Sequence, residues 1–223
     1  MISKSYISRK ENSELIEIKV KNEEEALNTA ISFLPTNNLK VNICFTGGNF
    51  GIGVLKGIKK EKFDISNWSI FQTDERIDSK EEEIIQIKII SNLINCKGFD
   101  IRNCNFFPHN SENEELDSPF GNLKLIPNIR FDITFLSLGE DGHLAGHFES
   151  SVLMENKQFC YTENAPKLPK KRVSFKLERL LNSELIILAC LGENKKEALQ
   201  KLLAGENIHH ELMRHKRLVL IKD

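Results

Sequence analysis

The order of elements in this 223-residue chain predicts an α/β fold with a mainly parallel β-sheet flanked by helices, Rossmann-like in outline. Three observations predict it. Strand-like apolar runs alternate with segments of helical period. The longest runs, FDITFLSL and ELIILACL, lack polar alternation, as expected of strands covered on both faces. Several runs also end abruptly in glycine-rich or charged turns, the places where open parallel sheets collect ligands.

Each element has its own justification. Glu14 to Val20 reads as a first strand, and Glu23 to Leu34 repeats apolar residues at helical spacing. Val41 to Phe45 (VNICF) is a short buried strand ended by Thr46-Gly47-Gly48-Asn49. Gly51 to Lys59 is then helical, with Asn49 expected as its N-cap. Trp68 to Gln72 is a strand running into Thr73-Asp74-Glu75-Arg76, and Glu81 to Asn95 is a helix. A short strand is expected at Asn105 to Pro108. Phe131 to Leu138 is the central strand, Gly139-Glu140-Asp141-Gly142 its turn, and HLAGHF (143–148) the start of a helix. Arg172 to Lys176 and Glu184 to Leu191 are strands, and Lys195 to Leu203 is an amphipathic helix.

Composition narrows the class. No Pro/Ser/Gly-rich linker or composition break divides residues 1–223, so one domain is expected. Thirty-one Lys and Arg balance 32 Asp and Glu, leaving a formal charge of -1 and no general basic field for nucleic acid or anionic membrane. The first fifteen residues lack an apolar signal core, and no run reaches the ~18 apolar residues of a membrane span. A cytoplasmic protein is expected. Five cysteines without a CxxC pair (44, 96, 104, 160 and 190) read as reduced, structural residues. Lys80 to Glu83 and Glu112 to Glu115 are short charged patches.

Four loops can carry chemistry. His143, delivered at a strand end, is placed for proton transfer, and a helix N-terminus there would favour its neutral, proton-accepting form. Thr46, Gly47, Gly48 and Asn49 can cradle a phosphate with backbone amides, or form an ordinary strand-to-helix turn. Arg76 can bind phosphate or carboxylate or stabilise an oxyanion, with Asp74 positioning it or holding a hydroxyl; the bland reading is a solvated ion pair. Lys195, in a helix's first turn, is unfavourable against the dipole unless an anion lies near, or is simply a surface lysine. Arg172 follows the basic segment APKLPKK.

His143 and His147 are spaced i, i+4 as in HExxH, but Leu144 stands where that motif has its glutamate. No metal and no cofactor are expected, with His147 as a packing or capping residue and His209, His210 and His215 at a partly exposed edge. The absence of GxSxG, a Walker loop and GxGxxG argues against serine hydrolase, NTPase and dinucleotide readings.

The segments TGGNF, TDER, SLGEDGHLAGHFE, PKLPKKRVSF and GENKKEAL occur in the order and spacing of SGGST, GDER, GxGxDGHxASLFP, PxPPxRIT and GxxKAxAL. On these residues the chain resembles the 6-phosphogluconolactonase family from about Val41 to Leu203, and its ending is similar to that family's closing strand. The resemblance implies a NagB/RpiA-type sheet and metal-free hydrolysis of 6-phosphoglucono-δ-lactone to 6-phosphogluconate, in the oxidative pentose phosphate pathway. His143 would be the base, Arg76 a substrate-binding and charge-stabilising residue, and Gly47, Gly48, Arg172 and Lys195 the phosphate site. The partner is then a small phosphosugar lactone, and a monomer or weak homo-oligomer is expected. Three departures stand out: Asn49-Phe50 replaces Ser-Thr, IDSKEEEIIQIK replaces VPxxHxxSNxR, and His147-Phe148-Glu149 replaces LFP.

Glucosamine-6-phosphate deaminases share the DGH core and would use Asp74 and Asp141 in isomerisation and ring opening. They carry a glutamate five residues beyond the signature histidine, where this chain has Phe148. A catalytically degenerate sugar-phosphate-binding protein is the non-enzymatic alternative.

Overall fold

The computed structural model describes residues 3–9, 13–36, 39–109, 130–149, 151, 153–155 and 158–223. The charged patch Glu112 to Glu115 lies outside them. The elements run β1 (Ser3–Arg9), β2 (Ser13–Lys19), α1 (Glu23–Ile31), β3 (Val41–Phe45), α2 (Asn49–Lys60), β4 (Trp68–Gln72), β5 (Asp74–Arg76), α3 (Ile85–Leu93), β6 (Cys104–Asn105), β7 (Phe131–Ser137), β8 (Met154–Glu155), β9 (Phe159–Thr162), β10 (Arg172–Phe175), α4 (Leu177–Leu181), β11 (Ser183–Cys190), α5 (Lys196–Ala204) and β12 (Arg217–Lys222).

Among the described residues the main sheet has eight strands in the order β1-β2-β12-β11-β7-β3-β4-β6. Strand β1 pairs antiparallel with β2, and every other pair is parallel. The centre of the sheet is apolar on both faces because both are covered. Along β11, Ile186, Leu188 and Cys190 enter one buried cluster, while Leu185, Ile187 and Ala189 enter the other. Helices α1, α2 and α3 cover the second face with Ala26, Ala30, Val54, Leu55, Ile58, Ile85 and Ile89. Removing each such valine, leucine or isoleucine side chain from water contributes about 1.5–3 kcal/mol. Helix α1 is well started: Asn22 Oδ1 accepts the Glu25 N–H at 2.9 Å, and Glu23 to Glu25 meet the positive end of the helix dipole.

The first face is covered differently from what the periodicity suggests. A second, antiparallel sheet in the order β5-β10-β9-β8 packs there, together with α5. The run Arg172 to Lys176 is therefore a strand, but it belongs to this second sheet, where Arg172 faces Arg76 and Thr162 in register. The pattern of burial hides this, because β9 and β10 are buried along their whole length, as a parallel strand would be.

Local differences have local reasons. The helix expected over Glu81 to Asn95 is a 3-10 turn at Glu81–Glu83 followed by α3, whose first amides, Ile85 and Gln86 N–H, donate to the Glu75 carboxylate. The strand expected at Asn105 to Pro108 is the two-residue β6. Helix α2 begins two residues early and its N-cap is Gly48, so Asn49 is the first helical residue and no side chain caps the helix. Its leading amides face the strand ends without a capping oxygen. None of the five cysteines is in a disulfide; Cys44 and Cys190 are buried in the apolar cluster, and Cys160 is buried against the His147 ring and the carbonyls of Ser174 and Phe175. No helix among the described residues is long and apolar enough to cross a membrane.

Candidate functional site

The carboxyl ends of β3, β4, β7 and β11 open into one cleft of about 670 Å³. Parallel strands deliver their following loops to the same edge, so distant segments meet there. Thr46, Gly47, Gly48 and Asn49 line the cleft from the end of β3, Asp74 and Arg76 from β5, His143 from the turn after β7, Arg172 from β10 and Lys195 from the segment after β11. Asp141 does not line it.

The turn that carries His143 is not a helix start. Gly139 N–H donates to His143 O at 2.9 Å, and Leu144 and His147 exchange backbone bonds at 3.3 and 2.9 Å, so the chain doubles back. Gly142 sits at φ 83° and Ala145 at φ 51°, both outside right-handed helical space. The expected support of His143 by a helix dipole is thereby replaced by a side chain. Asp141 Oδ1 accepts from His143 Nδ1. Burial tends to raise the Asp141 carboxyl, but the hydrogen bond to His143 and the charges of His143 and Lys167 outweigh it and hold it below the usual carboxylate range. An ionised carboxylate can only accept, so Nδ1 carries a proton, and Nε2, which has no partner among the described residues, is the nitrogen left to exchange one. The ring is also stacked on Phe148, with centroids 4.4 Å apart. Gly139 leaves room for this pair: a Cβ there would lie 2.1 Å from His143 Nδ1 and 2.6 Å from Asp141 Oδ1.

His147 points elsewhere. It is buried and its Nε2 donates to Phe175 O at 2.8 Å, which ties the turn to β10. With no helix, His143 and His147 do not share a face, and no group of three His, Cys, Asp or Glu side chains suited to a metal occurs among the described residues. His209 is 1% exposed rather than at an exposed edge, and desolvation, with His147 adding to it, pushes its pKa down to about 4.

The Asp-Glu-Arg segment is not a solvated ion pair. Asp74 is buried and accepts from Thr73 Oγ1 at 2.7 Å. Glu75, fully buried, accepts backbone N–H bonds from Arg76, Ile85 and Gln86, fastening the start of α3 to β5. Burial still pushes its carboxyl up, which those three donors oppose. Arg76 donates to Glu83 O at 2.7 Å and keeps the rest of its guanidinium toward the cleft. Arg172 is 6% exposed, gives its Nε to Pro169 O and one terminal nitrogen to Leu168 O, and is held below its usual pKa by burial, with Asp74 opposing. Lys195 is the N-cap of α5, and its Nζ donates to Ser137 Oγ at 3.0 Å. Burial lowers its pKa. These cations meet the uncapped start of α2 around one space, an arrangement that holds anions.

Several cleft residues had no assigned part in the sequence reading. Lys167 Nζ lies 2.7 Å from Glu140 Oε1 and 3.5 Å from Asp141 Oδ2, and Asn194 donates to Glu140 Oε2 at 3.0 Å. Glu140 and Lys167 both lie within the motif segments, where their neighbours drew attention instead. Asn22, Glu23 and Asp223 reach the cleft because β2 and β12 are parallel to β11, and nothing local to them signals it.

Residues 11–219 match the family described as glucosamine-6-phosphate isomerases/6-phosphogluconolactonase. A 6-phosphogluconolactonase of Borreliella burgdorferi is 27% identical over 179 residues, covering 77% of this chain and 75% of that protein. A glucosamine-6-phosphate deaminase of Clostridium botulinum is 25% identical over 198 residues, covering 79% and 81%. Among solved structures, 6-phosphogluconolactonase from Thermotoga maritima superposes with a TM-score of 0.75 at 16% identity, covering 93% of this chain and 99% of that one. With a match spanning nearly its whole length, this chain belongs to the glucosamine-6-phosphate isomerase/6-phosphogluconolactonase family.

Proposed function

We propose that this protein hydrolyses 6-phosphoglucono-δ-lactone to 6-phosphogluconate, with His143 as general base. The observation that carries this reading is the pair Asp141–His143, which occupies Nδ1 and leaves Nε2 without a partner among the described residues at a cleft lined by cations. His143 Nε2 takes a proton from water as the oxygen attacks C1 of the lactone. The C1–ring oxygen bond then breaks, and the imidazolium returns the proton to the departing oxygen, which becomes the C5 hydroxyl. Asp141 holds the ring and its tautomer and stabilises the imidazolium. Arg76 supplies positive charge for the oxyanion at C1, while Lys195, Arg172 and the Thr46–Asn49 loop hold the phosphate. Asp74 orients a substrate hydroxyl.

Phe148 favours lactone hydrolysis over amino-sugar deamination. Its ring is 4% exposed and lies against His143, in the position where a deaminase-like site would need a carboxylate. An apolar ring there cannot transfer protons, and it keeps bulk water from one face of the imidazole.

The test compares substrates. Lactone made in situ from glucose-6-phosphate should disappear well above its spontaneous rate, glucono-δ-lactone lacking the phosphate should be a poor substrate, and glucosamine-6-phosphate should release no ammonia. Ammonia release would establish the deaminase reading; tight phosphosugar binding without accelerated hydrolysis would establish a degenerate binding protein.

A further inference from the structure

The turn that presents His143 is gripped from behind by a segment with no place in the cleft. Asn207 Nδ2 donates to Gly142 O at 3.1 Å, on the residue just before His143. Asn207 Oδ1 in turn accepts the His209 N–H at 2.7 Å, which fixes both side chains in one local motif. His209 Nε2 is 3.2 Å from His147 O, at the far end of the same turn. A carbonyl only accepts, so Nε2 donates and Nδ1 is left as an acceptor, buried and without a partner among the described residues. An orphaned buried nitrogen is unfavourable in itself, so the bond made by the opposite nitrogen is what the residue contributes. The fit at Gly142 is close: a Cβ there would lie 2.5 Å from Asn207 Nδ2, and φ is 83°.

We propose that Asn207 and His209 are positioning residues, clamping Gly142 O and His147 O so that His143 stays in register with Asp141 and the cleft. Both follow α5, whose N-cap Lys195 lines the same cleft. One rigid element thus sets the spacing between the base and a phosphate-binding cation. The catalytic half of the proposal rests on the lactonase reading above; the geometric half does not. Neither residue touches substrate, so the loss on substitution falls on turnover rather than on binding.

The experiment uses full-length protein labelled with 15N-histidine. His143 ring signals are assigned by their loss in His143→Ala, and Asn207→Asp, His209→Leu and His209→Gln are compared with wild type. Asn207→Asp keeps the acceptor for the His209 N–H but sets a charged, acceptor-only oxygen against Gly142 O, and Gln in place of His209 can still donate to His147 O. Wild type should show His143 as a single Nδ1–H tautomer, and Asn207→Asp and His209→Leu a mixture. In those two variants kcat should fall by about tenfold or more, as expected when a base is misplaced by a fraction of an ångström. KM should stay within about twofold, and His209→Gln should recover most of the loss. A pure His143 Nδ1–H tautomer in both variants, or turnover equal to wild type in folded protein, overturns the proposal. Should His209→Leu fail to fold, the near-isosteric Asn207→Asp decides it. Failure of wild type to hydrolyse the lactone would count against the function alone, since the tautomer measurement still decides the clamp.

Discussion

Asp141→Asn is the most informative single substitution, because it keeps the shape of the side chain that holds His143 while removing its charge and exchanging one oxygen for an NH2. In the native turn Asp141 Oδ1 accepts from His143 Nδ1, and the two side chains are 32% and 25% exposed, so water competes in part for the contact. A hydrogen bond to a charged group contributes about 1.5–3 kcal/mol. The carboxylate strengthens this bond as the imidazole becomes imidazolium, so most of that contribution appears in the transition state. At about 1.4 kcal/mol per factor of ten, kcat should fall by roughly 10- to 150-fold. An amide can also turn its NH2 toward Nδ1 and select the other tautomer, which leaves no basic nitrogen at the cleft and pushes the loss toward the upper end. The assay is the coupled disappearance of lactone at saturating concentration, with KM measured alongside and changing little. Asp141→Ala serves as control, since it loses the charge without presenting a wrong donor. If both variants turn over within about twofold of wild type while folded, Asp141 does not support the base and the mechanism is wrong.

Other outcomes follow from the same geometry. Gly139→Ala should reduce activity more than stability, since its Cβ would displace the His143 ring and the Asp141 carboxylate rather than core atoms; thermal melts beside kinetics check this. Gly47→Ala should destabilise by about 1–3 kcal/mol, because its Cβ would lie 2.2 Å from Cγ1 of the fully buried Ile85, and Ile85→Ala should restore part of that loss in a double-mutant cycle. Gly48→Ala, with nothing within 4 Å of the new Cβ, should leave the unfolding midpoint almost unchanged. His209 is held down to about 4 from 6.5 by burial, so the unfolded state binds its proton first on acidification. Its contribution is fully present above pH 6.5 and is lost as pH falls toward 4, amounting to roughly 3 kcal/mol. Denaturant unfolding across that range should be less steeply pH-dependent in His209→Gln.

The parallel core was legible because its signal is local and uniform. Val41–Phe45 and Trp68–Gln72 are strands over those very residues, and the loops after them do reach one cleft. The antiparallel sheet was not, since nothing in the four residues RVSF of β10 marks its partner strands, and only its pairing with β5 and β9 reveals its direction. HLAGHF shows a different limit. Its composition permits a helix, but His147 bonding to Phe175 O, and Gly142 and Ala145 at positive φ, hold it in a turn, and those partners are 28 residues away or in conformations no periodicity reports. His143 itself was legible from its position at a strand end. Its supporting shell was legible only in part: Asp141 stood beside it, but Asn207 and His209 are brought there by α5, far along the chain.

The central claim is that His143 activates water against a phosphorylated lactone. The most direct measurement is kcat for lactone hydrolysis by wild type and His143→Ala, with lactone generated in situ and both proteins matched for folding by melting curves. General-base catalysis contributes about 10²–10⁴-fold, so the variant should fall by that factor toward the spontaneous rate while still binding 6-phosphogluconate. Turnover by His143→Ala equal to that of wild type would contradict the account.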